Sequence, residues 1–578
     1  MEKITIKIDG KEYQAEVGDT ILELANKNGI KIPSLCFHPD VEARSNCRMC
    51  VVEIKGSKNL QTACLTKVQD GMEIITDSER IKKSRKINLE LIFAQHQEEC
   101  DDCVSLDNCR LLKYQKEFGA NINKFSDRKK DRKIVQSGPI VFDWTKCIDC
   151  RLCADVCPVE FLEIENKGAD IAIKTSFDEK KECINCGQCI VHCPVGAIEA
   201  EGEFEEIEKP LQDKNKTVII QFAPAIRSSI GEEFEMETGL VVTGQMVAGM
   251  KKLGFSKVFD TSVAADFTTY EEAQELLERV KTGENLPAFS SCCPAWVKFL
   301  EFYYQEFIHN LCTSRSPQVM MGGILKTYWA KENNVDPKDI IVVSVMPCTA
   351  KKFEVKREEM RLENGCFPVD YVLTTREMAR LFKSRGIDLK NIESEKADDP
   401  FGDPSGAGVI YGASGGVFES AFRTAYFMAT GKNMENVDVK EIRGLEGIKI
   451  RELRLGDTIL KVAVVSGIKN AQKMLEVLKK DPGAFHAMEV MACPGGCIGG
   501  GGQPIPNTPE IRKKRAEALY KVDAEKKMRL AHENPSLKEA YEKHFTNKEI
   551  IHKVLHTSYC SRKKDEIKEL KSSREMAS

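Results

Sequence analysis

Cysteine carries most of the chemistry that this sequence offers. The chain has 23 cysteines in 578 residues, and most of them fall in sets with fixed spacing. Cys36, Cys47, Cys50 and Cys64 combine a long loop, a tight C-x2-C and one distant thiol. His96, Cys100, Cys103 and Cys109 form a second set, in which one imidazole joins three thiols. Cys147, Cys150, Cys153 and Cys157-Pro158 spell C-x2-C-x2-C-x3-C-P, and Cys183, Cys186, Cys189 and Cys193-Pro194 repeat it. Further thiols stand at Cys292, Cys293, Cys348, Cys493 and Cys497. In a reducing compartment such thiols do not pair, and sets of this kind bind metal or do redox work. By donor count alone the first two sets suit zinc or an iron–sulfur cluster.

The doubled proline-ended motif is more specific. It is the two-cluster ferredoxin pattern, in which the fourth cysteine of each run ligates the other cluster. One 4Fe–4S cubane is thus expected on Cys147, Cys150, Cys153 and Cys193, and another on Cys183, Cys186, Cys189 and Cys157.

The elements that position these sets follow from periodicity. Ile4, Ile6 and Ile8 alternate, Asp9-Gly10 makes a turn, and Tyr13, Ala15 and Val17 alternate again, which predicts a hairpin. Asp19-Thr20 can cap a helix over ILELANKNG that Gly29 closes. Residues 79–135 read as mostly helical and end in the basic linker FSDRKKDRK. From about residue 215, apolar strands alternate with helices: TVIIQFAP, KVFDTS, PAFSSCC, IIVVSVMPC, DYVLTT, KVAVVSG and HAMEVMAC. That alternation predicts an α/β core with parallel strands, so the chain as a whole is expected to be multidomain, part α+β and part α/β. Three of these strands end in Cys293, Cys348 and Cys493, and ligands of open α/β sheets bind beyond the carboxyl ends of strands. Cys497 adds a fourth thiol, and Gly495-Gly496 with Gly499 to Gly502 permits close backbone approach to a bulky group. Four convergent thiolates suffice for a further 4Fe–4S cluster. Beyond residue 506, runs such as KKRAEALYKVDAEKKMR read as charged surface helices.

Composition excludes other classes. A net charge of −4 gives no global field for nucleic acid, and 42% hydrophobic residues is ordinary for a globular chain. The start MEKITIKIDG lacks the apolar core of a signal peptide, and no long apolar run suggests a membrane span. A cytoplasmic location is expected.

At this point a resemblance becomes specific. SSCCPAW (290–296), MPCTAKKFE (346–354) and EVMACPGGCIGGGGQP (489–504) resemble the three signatures of the iron-only (FeFe) hydrogenases. The cluster sets before them resemble those of the large clostridial-type members, so the likeness spans nearly the whole chain. It implies a β-grasp 2Fe–2S ferredoxin-like domain at 1–78, a histidine-ligated 4Fe–4S domain and linker at 79–135, and a two-cluster ferredoxin domain at 138–208. It further implies an H-cluster catalytic domain at 215–505 and a helical C-terminal segment at 506–578, where HENPSLKEAYEKHF resembles the family's own tail. The cofactors implied are one 2Fe–2S cluster, three accessory 4Fe–4S clusters and the H-cluster, a cubane bridged to a two-iron subsite with carbon monoxide, cyanide and azadithiolate ligands.

By the same resemblance Cys293, Cys348, Cys493 and Cys497 hold that cubane, and Cys497 bridges to the subsite. Cys292 exchanges protons with the amine of the subsite; Lys351 hydrogen-bonds one cyanide; Ala223-Pro224 and Gln318 line the cavity; Met346 and Met491 form apolar walls. Glu272, Glu275, Arg279 and Glu354 match the family's proton relay. There are departures from the pattern. Cys312 stands where relatives have the relay serine, so either its thiol or a water must pass the proton. Ala225 replaces a serine near one cyanide, Ser290 replaces threonine, and Ala295 stands where glycine is common. Cys366, Cys560, His192 and His309 lack metal-like neighbours in sequence and read as structural.

The activity implied is reversible reduction of protons to dihydrogen with electrons from a ferredoxin-like carrier, after loading by maturation proteins. Two rivals remain: an iron–sulfur assembly factor on the same fold, and a hydrogenase subunit of an electron-bifurcating complex.

Overall fold

The computed structural model describes residues 3–570 apart from 98–99, 101–102, 104–108, 126–131 and 168–169. Most of the basic linker lies outside the described residues. The chain divides into two compact units: residues 1–181, 192–199 and 566–578 form one, and residues 182–191 and 200–565 form the other. Among the described residues no helix is long and apolar enough to cross a membrane.

In the first unit the alternating isoleucines do form a hairpin. Lys3–Ile8 pairs antiparallel with Lys11–Glu16, and Asp9 and Gly10 take the positive φ values that the tight turn requires. Lys3–Ile8 also pairs in parallel with Glu73–Ile75, and Val51–Ile54 and Gln61–Thr62 complete a five-stranded sheet. The helix Ile21–Lys27 starts at Thr20, whose hydroxyl accepts from the Glu23 amide while the Glu23 carboxylate accepts from the Thr20 amide. Its Ile21, Leu22, Leu24 and Ala25 join Ile6, Ile8, Val52 and Ile74 in one apolar cluster.

The second unit is built on two four-stranded sheets rather than one. Lys257–Asp260, Thr217–Phe222, Ile340–Met346 and Tyr371–Thr374 are all parallel. Ala288–Phe289, Ala487–Met491 and Thr458–Ser466 are parallel to each other, with Ile448–Leu455 added antiparallel at the edge. The inner strands are buried nearly throughout, which explains their continuous apolar runs. The edge strand IKIRELRL mixes apolar and charged residues, with the pattern broken at Arg451-Glu452 and half of its residues exposed; it was absent from the expected strands.

Two expectations about the tail are corrected. Lys568–Leu570 is a strand, paired antiparallel with Ile134–Gln136 in a four-stranded sheet of the first unit. The helix Pro509–Glu525 exposes one charged face, with Lys513, Lys514, Glu517 and Lys521, but buries another: Arg512, Arg515, Ala516, Leu519 and Asp523 are buried. Its buried face is largely charged, so an apolar stripe could not announce it. Asp523 accepts from Arg423 at 2.8 Å and from Arg529 at 2.6 Å, and Glu419 shares Arg423 and Arg443. Gly406 lies against this network; a Cβ there would sit 2.0 Å from Asp523 Oδ1.

Removing one partner from a buried ionic network leaves an uncompensated charge, so Asp523→Ala is expected to destabilise the second unit by about 3–5 kcal/mol, read as a lower thermal midpoint. Burial works against the Asp523 carboxylate, but Arg423 and Arg529 outweigh it and hold its pKa below the usual range. Its contribution is therefore complete at neutral pH and is lost as pH falls below about 4. The variant and the parent should converge in stability in acid.

Candidate active site and cluster ligands

The two sheets of the second unit present their carboxyl ends to one pocket. Phe289 leads to Cys292 and Cys293, Met346 to Cys348, and Met491 to Cys493, with Cys497 one turn further on. Burial pushes the Cys348 thiol up to about 12 and raises Cys293, Cys493 and Cys497 as well; Cys493 is pushed further by all three neighbours, Cys497 by Cys293 and Cys348, and Cys348 by Cys293. Four thiolates so placed require a positive metal core to ionise together, so the donor set fits a cluster. The amide of Ala492 points at Cys293 Sγ from 3.4 Å, the kind of contact that tunes a thiolate ligand.

Glycine makes the pocket possible. Gly496 has φ +97°, and a Cβ there would lie 2.7 Å from the Ser414 amide nitrogen and 2.8 Å from Met491 Sδ. Gly500 packs so closely on Pro347 that a Cβ would meet its carbonyl oxygen at 2.0 Å. Arg515 clamps the same loop by donating to Ile498 O at 2.9 Å and Pro504 O at 3.2 Å, while Glu232 holds its other face. Glu489 fixes the facing turn by accepting from the amides of Gly415 at 2.6 Å and Phe418 at 2.8 Å.

Cys292 packs with Ala265, Tyr411, Val417 and Met491. Burial, with the charge of Glu272 added, pushes its thiol well above the ordinary value against the pull of Lys351, so it stays protonated at neutral pH. Lys351 donates from Nζ to Cys292 O at 3.0 Å and to Glu354 Oε2 at 3.0 Å. Burial would lower the Lys351 ammonium, but Glu354 and the surrounding thiols more than offset it, so its pKa rises. Glu354 Oε2 also accepts from Ser316 at 2.9 Å and Gln318 at 2.6 Å. Its partners are thus Lys351, Ser316 and Gln318, not the acidic residues of the long helix. Met346 and Met491 are buried. Ala223 and Pro224 follow the Thr217–Phe222 strand and are buried. Ala225 is fully buried against Val409, Ala413, Ile498 and Leu519.

Glu272, Glu275 and Arg279 ride the helix Thr261–Thr282, capped by Asp260 at one end and closed by Gly283 at φ +74°. Burial, reinforced by Glu275, raises the Glu272 carboxyl to about 8. Cys312 lies near both acids but makes its contacts within an apolar cluster that includes Ala273, Leu276 and Phe418. The hydroxyls at these acids come instead from the next two residues. Thr313 donates from Oγ1 to Glu275 Oε2 at 3.2 Å, and Ser314 from Oγ to Glu272 Oε1 at 3.3 Å. Glu272, Ser290, Cys312 and Glu489 also line a small cavity between them. Ser314, Thr313 and Tyr411 were not among the expected site residues, because only the fold brings them to the acids and to Cys292.

Residues 182–191 belong to this same unit, so Cys183, Cys186 and Cys189 sit against the catalytic loops. Thr349 Oγ1 donates to Asn185 O at 2.6 Å, Gln188 Nε2 to Gly499 O at 3.0 Å, and a Cβ on Gly187 would lie 2.9 Å from Gly501 Cα. Cys493 Sγ is 4.0 Å from Cys186 O. Lys298 ties the segment down through Glu182 at 2.8 Å.

The first unit gathers three sets. Cys147, Cys150, Cys153 and Cys193 line one cavity, which thus joins a thiol of the second run to the first. Phe161 N donates to Cys157 Sγ at 3.3 Å. His96, Cys100, Cys103 and Cys109 line another cavity, and His96 Nδ1 lies 2.7 Å from Lys146 O. That contact selects the tautomer whose lone pair is on Nε2, the arrangement a ligating imidazole needs. Cys36, Cys47, Cys50 and Cys64 are buried together; Cys36 donates to Cys47 Sγ, and the amides of Met49 and Leu35 point at the same sulfur, holding Cys47 below the usual thiol range. His192 has close neighbours that sequence spacing hides: its ring packs at a tilt of 54° against His38, with centroids 4.0 Å apart, and its Nε2 lies 3.4 Å from Asp40 Oδ2. Cys560 is an exposed thiol, 3.6 Å from Glu359.

Thiols at the ends of two sheets, beside a loop of ferredoxin type, define a redox protein with a buried metal centre. Comparison with known proteins specifies it. Residues 216–501 match the family described as iron only hydrogenase large subunit, C-terminal domain, and residues 509–562 match iron hydrogenase small subunit. Residues 1–79 match a 2Fe-2S iron-sulfur cluster binding domain, and 146–197 a 4Fe-4S dicluster domain. The NADP-reducing hydrogenase subunit HndD of Solidesulfovibrio fructosivorans is 41% identical, over 98% of this chain and 100% of that protein. Iron hydrogenase 1 of Clostridium pasteurianum is 37% identical, over 96% and 99%. A solved structure of the FeFe-hydrogenase HydA(deltaEFG) is 34% identical with a TM-score of 0.56, covering 62% of this chain and 99% of that one. The chain belongs to the iron-only (FeFe) hydrogenase family and is an oxidoreductase acting on hydrogen.

Because a side chain at Gly496 would strike Met491 and the Ser414 turn, Gly496→Ala is expected to lower incorporation of the catalytic cluster. Iron content of the purified protein should fall while the absorption of the accessory clusters persists.

Proposed function

We propose that this chain interconverts protons and dihydrogen at an H-cluster held by Cys293, Cys348, Cys493 and Cys497. The observation that carries the reading is the convergence of these four thiols with the protonated Cys292 and with Lys351 in one pocket. When bound, the H-cluster supplies the metal at which dihydrogen is formed or split. The 215–505 segment would be its domain. A 2Fe–2S cluster would sit on Cys36, Cys47, Cys50 and Cys64, and three 4Fe–4S clusters on the histidine set and the two exchanged ferredoxin sets, within segments 1–78, 79–135 and 138–208. An assembly factor needs neither Cys292 nor this full set of electron carriers.

The chain's own residues handle the proton. Cys292 is the acid nearest the reacting centre, kept neutral by burial. Glu272, raised to about 8, is protonated at pH 7 and can replenish Cys292; Ser314 orients it. Ser314, rather than Cys312, is the hydroxyl at this step. Glu275 follows, oriented by Arg279 at 2.5 Å. Glu354 with Gln318 holds Lys351 in place. Met346 and Met491 keep water from the pocket.

The electron partner has two readings. A ferredoxin-like carrier suits an independent enzyme. The full-length match to an NADP-reducing hydrogenase subunit favours a complex in which other subunits pass electrons to a nicotinamide. Flavin- and nicotinamide-binding subunits copurifying from the native host would decide for the complex.

Cys292→Ala is expected to abolish hydrogen turnover while leaving iron content and cluster absorption intact; a variant that turns over normally would remove Cys292 from the relay. Hydrogen evolution is expected to fall as pH rises through about 8, where Glu272 loses its proton. Glu272→Gln should slow turnover and flatten that limb of the profile.

A further inference from the structure

The relay proposed above ends, in the structure, at a group that cannot feed it. Arg279 donates to Asn285 O at 3.0 Å, Asn310 O at 2.8 Å and Leu311 O at 2.8 Å, besides Glu275 Oε1. A guanidinium so engaged, and never deprotonated in proteins, fixes Glu275 without supplying protons. The other oxygen of Glu275 leads elsewhere. Oε2 accepts from the Thr313 amide at 3.0 Å and from Thr313 Oγ1 at 3.2 Å, and Oγ1 lies 2.8 Å from His556 Nδ1. His556 Nε2 is 2.9 Å from Glu271 Oε2, and the Tyr541 hydroxyl donates to the other oxygen of Glu271.

We propose that His556 is the proton inlet of this enzyme, passing protons through Thr313 to Glu275. The inference rests on the proposed Glu275–Glu272 relay and adds its outer end. When Thr313 donates to Glu275, its oxygen can accept from Nδ1–H of a protonated His556, whose Nε2–H then faces Glu271. In one hop the Nδ1 proton passes to Thr313 Oγ1 as the hydroxyl proton passes to the Glu275 carboxylate. One proton enters, one arrives, and the imidazole is left as the neutral Nε2–H tautomer, whose Nδ1 regains a proton from water before the next hop. Imidazole is the side chain suited to that exchange near neutral pH. The His556 side chain keeps 14% of its surface accessible, and the exposed His552, one helical turn earlier, stacks on it at 5.8 Å and 17°. The ionisable groups around the imidazole are Glu271, Glu275 through Thr313, Tyr541, Arg315, which donates to His556 O at 2.8 Å, and His552 and Lys553 on its own helix.

The test uses matured holoenzyme in dilute buffer free of imidazole. His556→Ala and Thr313→Val should each slow hydrogen evolution on the order of tenfold, with the double variant no slower than the worse single one. Imidazole added to the solution should restore His556→Ala but not Thr313→Val. A second readout is independent of turnover: pH-difference infrared spectra of protein lacking the two-iron subsite. The carboxylic C=O band that Glu275→Gln removes should shift in both variants. Unchanged turnover, pH profile and carboxyl band in both would overturn the inlet, as would a loss that imidazole does not rescue. Glu275→Gln with normal turnover would instead overturn the relay on which the inlet rests.

Discussion

Four thiols forced together away from water set the terms for the rest of the catalytic unit. Burial and mutual repulsion oppose their ionisation, so the pocket is at ease only around a positively charged metal core. To bring them there, two sheets must end at the same place, and the loops beyond must approach without side chains. Gly496 and Gly500 meet that need, and Arg515 from the tail helix braces the loop they form. The match of residues 509–562 to a hydrogenase small-subunit family fits this bracing role: in this chain the segment is covalently attached and packs its arginines on the cluster loop.

The same burial that suits thiolates to metal also suits neighbouring groups to carry protons. Cys292 and Glu272 are kept neutral because burial penalises their charged forms, for Cys292 by more than Lys351 offsets, whereas Lys351 stays charged because Glu354 stands beside it. One low-dielectric pocket thus produces opposite protonation states, set by which residues have a partner of opposite sign. On the far side, Asn185, Gly187 and Gln188, which lie between the cysteines of residues 182–191, pack against Thr349 and Gly499 to Gly501, so this ferredoxin-type segment forms part of the wall of the pocket.

What the sequence disclosed is what local spacing encodes. The cysteine sets, the buried strands ending in cysteine and the Glu272–Glu275–Arg279 face were legible because each depends on residues near one another in the chain. The partners of those residues were not. Ser314 and Thr313 reach the two glutamates only because the segment after Cys312 runs beside the long helix, and His556 joins them from 243 residues away. The buried face of Pro509–Glu525 was illegible because it is charged, and its Arg515 is satisfied by carbonyls of the preceding loop and by Glu232, far off in sequence. Lys568–Leu570 is too short and too polar to be read as a strand without its partner Ile134–Gln136.

The most direct test of the central claim is an anaerobic infrared spectrum of this chain after coexpression with hydrogenase maturation proteins. Bands from iron-bound carbon monoxide and cyanide, lost when Cys497 is replaced by alanine, are the expected result. A spectrum without them, from protein whose iron–sulfur absorption is intact and whose maturation partners load a control hydrogenase, would contradict the assignment of an H-cluster to these four cysteines.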